Sequence, residues 1–210
     1  MIKILLCLVL IFSLHSYINQ NNDIQLWVRE LVEVKVAKNV YVDISNQYRI
    51  GNHISQLYFI YLEGMLGYQL TNEVLFSSGY RQVWDRSAVT QWRLVYLPFA
   101  ELILRRGKGA ARWELRNRVS YLLREFGEDS WQWRGRLRWV MLEGGIRPYF
   151  SNELFIDSIK GFDQDRIIFG TLIPIIERCR GDFYYLLRFL NEVEHVTHQH
   201  IFGAEIHLNF

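Results

Sequence analysis

The sequence predicts an all-β fold: a transmembrane, up-and-down antiparallel β-barrel of about twelve strands, with ten as the next choice. Three observations lead there. Segments of alternating apolar and polar residues recur along nearly the whole chain, while helical periodicity is almost absent. The segments run about 10–14 residues, longer than the five or six usual in soluble sheets and matched to the 9–11 that a tilted strand needs to cross a bilayer. Short turns alternate with more variable connections, as periplasmic turns and external loops do in outer-membrane barrels.

Taken in order, segment 24–36 ends at "AKN" (37–39). Segment 40–50 ends at "GNHIS" (51–55), 56–70 at "TNE" (71–73), and 74–84 at "DRSAVTQ" (85–91). Segment 92–105 ends at "GKGA" (107–110), 112–126 at "GEDS" (127–130), and 131–141 at "EGG" (143–145). Segments 146–157 and 164–175 follow, the latter ending at "RCRGD" (178–182), and 183–194 and 200–210 complete the series. That makes eleven segments, whereas bacterial single-chain barrels have even strand numbers, hence the expectation of twelve or ten.

The polar faces say which side meets lipid. In "VYVDISNQYRI" Tyr41, Asp43, Ser45, Gln47 and Arg49 oppose Val40, Val42, Ile44, Tyr48 and Ile50. In "ARWELRNRVSYLL" Arg112, Glu114, Arg116, Arg118 and Ser120 oppose Trp113, Leu115, Val119 and Tyr121, with Asn117 the exception. In "WRGRLRWVML" Arg134, Arg136 and Arg138 oppose Gly135, Leu137, Trp139 and Met141. An Arg at the bilayer midplane costs about 2–4 kcal/mol. Several would exceed the net stability of a domain, so these rows must face a lumen or water. Aromatics near segment ends (Trp27, Tyr48, Trp84, Trp92, Trp113, Trp131, Trp133) suit interfacial girdles. The alternative is the core of a soluble β-domain.

The chain has 210 residues, half hydrophobic and 15% aromatic, with a formal net charge of +2. It folds, and its charge does not point to nucleic acid. Met1 to Gln20 hold one early Lys and an apolar run from Ile4 to about Leu14, shorter than the ~20 residues of a spanning helix. We read residues 1–16 as a secretory signal, with Ser13 and Ser16 near the cleavage region, 17–23 as an N-terminal extension and 24–210 as the barrel. An apolar strand or anchor is the alternative for the leader. Cys7 lies too early for lipoprotein attachment, and its removal would leave Cys179 alone. Export fits a bacterial outer membrane.

The last segment, "HIFGAEIHLNF", carries Phe202, Ala204, Ile206, Leu208 and Phe210 at alternate positions. Phe202, Ile206, Leu208 and Phe210 resemble the C-terminal signal read by the barrel assembly machinery. A closed barrel must pair its last strand with its first, because lipid tolerates no open edge.

Further motifs extend the likeness: "DIQLW" (23–27), "NQYR" (46–49), "GYRQVW" (79–84), "ELRNRVSY" (114–121), "PYFSNELF" (148–155) and "GFDQDRIIFG" (161–170). With these, 24–210 resembles the outer-membrane barrel proteins catalogued as domain of unknown function 2490. The resemblance implies location and fold without a chemistry. It also marks Trp27, Arg49, Arg81, Glu101, Arg116, Arg118, Glu153 and Arg166 as inward-facing or framing positions.

The lumen-facing candidates are Arg49, Arg81, Glu101, Glu114, Arg116, Arg118, Arg136, Arg138, Glu153 and Arg166, with Glu63 beside them. They suit an ion-pair lattice filling a narrow barrel, a narrow channel for anions, or a lipopolysaccharide-phosphate site at the rim. A lipid-modifying enzyme would draw on His195, His198 and His200 with Ser55, Ser87 or Ser130, but no Ser–His–acid pattern is fixed, so no catalytic residue is expected. "HVTHQH" has metal-ligand residue types without a partner carboxylate pattern, so neither metal nor cofactor is expected. "RRGKG" (105–109) reads as a solvated basic turn, and "GKGA" lacks phosphate-loop spacing. The expected partners are outer-membrane lipid, lipopolysaccharide and, during biogenesis, the assembly machinery, with the protein a monomer. A soluble periplasmic β-barrel binding an apolar ligand is the remaining alternative.

Overall fold

The structure is a computed structural model that describes residues 23–86, 91–191 and 196–210. The expected signal (1–16), nearly all of the extension (17–23), Ser87 and His195 lie outside the described residues. Every regular element described is a strand: β1 (Ile24–Ala37), β2 (Val40–Gly51), β3 (Gln56–Gln69), β4 (Val74–Asp85), β5 (Arg93–Lys108), β6 (Ala111–Arg124), β7 (Ser130–Met141), β8 (Arg147–Asp157), β9 (Gly161–Ile176), β10 (Cys179–Asn191) and β11 (Val196–Asn209). Each pairs antiparallel with the next, and the sheet closes on itself.

Closure is parallel. β1 runs beside β11 from Ile24↔His200 to Glu33↔Asn209. The cause is parity: with up-and-down connections, strands of odd number point one way, so first and eleventh run together. The eleven described strands thus fall between the twelve and ten expected, and the even-number rule yields to a parallel seam. The seam continues through Phe210, whose N–H donates to the Glu33 carbonyl at 2.9 Å while its own carbonyl accepts from Lys35 N–H at 2.9 Å.

The last three strands start earlier than the sequence predicts, at Gly161, Cys179 and Val196. Gly161 pairs directly with Asp157, so the β8–β9 turn holds three residues, and "RCRGD" is strand apart from its first residue, because Cys179 already pairs with Leu208.

Pleating puts alternate residues inside. The interior is mixed: buried Trp27, Leu186 and Ile201 form one apolar cluster and Val140, Tyr149 and Leu172 another, while charged side chains fill the rest. Two inward glycines let rings lie flat on the wall. A Cβ on Gly203 would stand 1.9 Å from Tyr184 Cζ, and one on Gly170 would stand 2.4 Å from Tyr149 Cζ. Gly203 faces Trp27 across the seam, so its missing side chain makes room at the point of closure.

Candidate functional site: an arginine-lined lumen

All ten lumen candidates face inward, because each shares its strand parity with a buried neighbour. Register then decides who meets whom. Glu63 on β3 lies opposite Arg81 on β4, Glu101 on β5 opposite Arg118 on β6, and Glu153 on β8 between Arg136 on β7 and Arg166 on β9.

The carboxylates act as hubs. Glu63 accepts from Arg81 Nη2 at 2.5 Å and from Arg118 Nη1 at 2.8 Å, with Arg29 at 3.9 Å. Glu101 accepts from Arg118 Nε at 2.7 Å and has Arg116 at 3.4 Å as an ion pair. Glu114 holds Arg136 at 2.6 Å and Arg105 at 3.0 Å. Glu153 holds Arg134 at 2.5 Å, Arg166 at 3.3 Å and, more loosely, Arg136 at 3.9 Å. Asp182 takes Arg138 at 3.0 Å and the Tyr149 hydroxyl at 2.8 Å, and Glu205 takes Arg29 at 3.5 Å. The Arg118–Glu63 pair joins β6 to β3, so it stitches strands that are not neighbours in the sheet.

Inward aromatics pave the wall beneath the guanidiniums. Arg118 lies 3.8 Å from the Phe99 ring centre, Arg138 3.7 Å from Tyr149, Arg81 4.2 Å from Tyr61 and Arg166 4.3 Å from Phe155. Each such contact is worth about 0.5–2 kcal/mol, more as water is excluded. Arg49 is held between two rings, Trp27 at 3.8 Å and Phe59 at 3.9 Å. Trp27 corrects the girdle expectation: it is 2% exposed and points into the lumen. Tyr61, Phe99, Tyr149 and Phe155 did not enter the lumen set read from sequence. Parity was the available signal, since Tyr61, Phe99 and Phe155 each lie two residues, and Tyr149 four, from a lumen carboxylate on the same strand.

Two cavities remain between these side chains. One, of about 80 Å³, is lined by nine arginines (29, 49, 81, 116, 118, 134, 136, 138 and 166) against the carboxylates of Glu153, Asp182 and Glu205. The other, of about 320 Å³, lies toward the short-turn end beside Glu33, Asp43, Arg105, Arg112 and Arg180. They share Arg29, Arg116, Arg118, Arg136, Arg138 and Glu205 as a common waist.

The outer face carries exposed Ile44, Leu62, Leu66, Leu115, Val119, Leu137, Leu154 and Phe183. Ring pairs flank them: Trp113 with Trp139 near the short turns and Tyr121 with Trp131 near the opposite end. Two polar pairs interrupt this face, Asn46 donating to Glu30 at 3.1 Å and Asn152 to Asp165 at 2.7 Å. Ile206 and Phe210 are exposed on it too, with Phe202 and Leu208 half-buried on the same side.

The rim residues are not brought into a nucleophilic constellation among the described residues. Ser130 donates to Asp157 at 2.7 Å, Ser55 to the Asn52 carbonyl at 2.5 Å, and His200 Nδ1 pairs with the Tyr185 hydroxyl at 2.5 Å. Asp182, Glu205 and His207 bring ligand-type atoms within 4.8 Å of one another. Those atoms are engaged by Arg138, Arg29 and Arg180, which makes the group part of the ion-pair network.

Among solved structures, an anion-selective porin from Comamonas acidovorans is similar, with a TM-score of 0.43 and 14% identity over 81% of this chain. The chain covers 56% of that porin's length. No curated protein matches. Residues 24–199 match the family described as "Protein of unknown function (DUF2490)", which takes in β1 to β10 and the start of β11. The chain belongs to that family.

Proposed function

We propose that this chain is an integral protein of the bacterial outer membrane whose lumen is a narrow passage for small anions, pinched at its waist by ion pairs. The membrane reading rests on the inside-out distribution: ionised groups within, branched apolar side chains without. The ring pairs at Trp113 and Tyr121 lie eight residues apart on β6, roughly 26 Å of strand at ~3.3 Å per residue. A tilt of ~40° reduces that to about 20 Å, close to the ~25 Å apolar band of outer-membrane barrels. Phe202, Ile206, Leu208 and Phe210 then form the outward face of the closing strand, where the assembly machinery would read them, and lipid is the natural partner of a monomeric barrel.

One observation carries the anion preference: nine guanidiniums line the smaller cavity against three carboxylates. Counting also Glu63, Glu101 and Glu114, which the same arginines bind, three positive charges stay uncompensated. Fixed cationic walls raise the local concentration of anions and repel cations.

Purified, refolded protein in a planar lipid bilayer tests this. Small discrete conductance steps with a reversal potential favouring anions are expected, and Arg116→Gln with Arg118→Gln should remove the preference. A correctly folded but silent barrel would instead establish the second reading, a structural lattice, which the Arg118–Glu63 stitch across the interior favours. Solubility without detergent would overturn the membrane reading itself.

A further inference from the structure

The cationic residues of the lumen are not partnered alike, and the seam wall holds the exception. Arg49 is 8% exposed, yet its one side-chain hydrogen bond among the described residues runs from Nε to Gln47 Oε1 at 2.8 Å. Trp27 and Phe59, its register partners on the strands to either side, stand 3.8 and 3.9 Å from its Cζ and restrain the guanidinium. Arg166 flanks the same indole, at 5.1 Å, and shares one carboxylate, Glu153, with Arg134. Its Nε has no protein acceptor. Both guanidiniums line the smaller cavity.

Burying a guanidinium without a counter-charge costs several kcal/mol, and at Arg81, Arg116, Arg118, Arg134, Arg136 and Arg138 the chain meets that cost with Glu or Asp. At Arg49 it supplies rings and an amide. These orient a cation and leave its acceptor-seeking edge unfilled. A planar fork held in this way matches an anion with two oxygens on one edge. The size agrees, since about 80 Å³ holds several waters, at roughly 10–15 Å³ each, and so one small oxyanion.

We propose that Arg49 and Arg166, both set against the Trp27 indole and lining the same cavity, form a binding site for a small oxyanion of the phosphate, sulfate or carboxylate type in the lumen beside the seam. The site rests on the passage reading for its access from water, not for its chemistry. Gln47 positions Arg49 through Nε, and Glu153, already shared by two arginines, leaves Arg166 with charge to spare.

The test is calorimetric titration of inorganic phosphate, sulfate and acetate into the intact barrel in a non-ionic detergent at low ionic strength. Wild-type protein should show saturable binding that weakens with added chloride. Arg49→Gln and Arg166→Gln should each weaken it at least about tenfold, the equivalent of one lost charge-assisted hydrogen bond. Arg106→Gln, which removes the same charge from the outside of β5, should leave it unchanged. Retention of the unheated gel-mobility shift verifies that each variant is folded. Should Arg49→Gln not fold, Arg49→Lys keeps the charge but drops the planar fork, and must still bind phosphate more weakly than wild type. Absence of saturable binding by the folded wild type, or equal loss in Arg106→Gln, overturns the site. Binding without conductance sinks the passage and keeps the site, and anion-selective conductance without saturable binding does the reverse.

Discussion

Two stretches of the same lumen wall use the same residue type in opposite ways. From β3 to β8, arginines alternate with Glu63, Glu101, Glu114 and Glu153, and each carboxylate serves at least two guanidiniums. Across the seam, from β10 round to β2, Arg188 and Arg49 meet rings and amides: Arg188 donates to Gln164 at 2.6 Å and to Gln199 at 3.3 Å, with no carboxylate ion pair among the described residues. Fully paired arginine is structure, because its donors are spent on the wall. Arginine oriented by neutral groups is chemistry, because its charge is still free to meet a solute in the lumen.

That contrast sets an order of expected effects. Glu63→Gln should cost most, about 3–5 kcal/mol in urea unfolding from micelles, since it strands Arg81 in the interior, takes one of the two carboxylates of Arg118 and loosens Arg29. Arg49→Gln should cost less, about 1–2 kcal/mol, because it forfeits two ring contacts and strands no carboxylate. Arg105→Gln should cost least, within about 1 kcal/mol, since Arg105 is partly exposed at the rim and Glu114 keeps Arg136. A larger loss for Arg49→Gln than for Glu63→Gln would mean that the seam wall, not the paired wall, carries the barrel. A Glu63→Gln, Arg118→Gln double substitution sharpens the point: if the stitch is the main term, the pair together should cost less than the sum of the two alone.

Much of this was legible in the sequence, and the physics says why. Alternation with period two fixes which residues share a face, so Arg112, Glu114, Arg116 and Arg118 could be assigned to one side without coordinates. Turn residues bounded the first eight strands to within a few positions. Pairing was not legible. Arg118 and Glu63 lie 55 residues apart, and nothing local to either announces the other. Trp27 misled in a different way: near a strand end it reads as an interfacial ring, and burial beneath Arg49 depends on partners from β2, β10 and β11. The strand count was hidden too, because an even-number rule drawn from other barrels says nothing about whether a given pair of edges meets head to tail.

Odd closure has a consequence for engineering and for descent. In an even barrel the first and last strands finish at one end, so a short peptide could join them and the chain could be reopened elsewhere. Here Ile24 and Phe210 stand at opposite ends of the wall. A joining peptide would have to travel the full height of the barrel, through a lumen already crowded with guanidiniums. Simple circular permutation is thereby blocked. By the same arithmetic, copying hairpins adds strands two at a time, so the eleven strands among the described residues are not reached from an even barrel by hairpin copying alone.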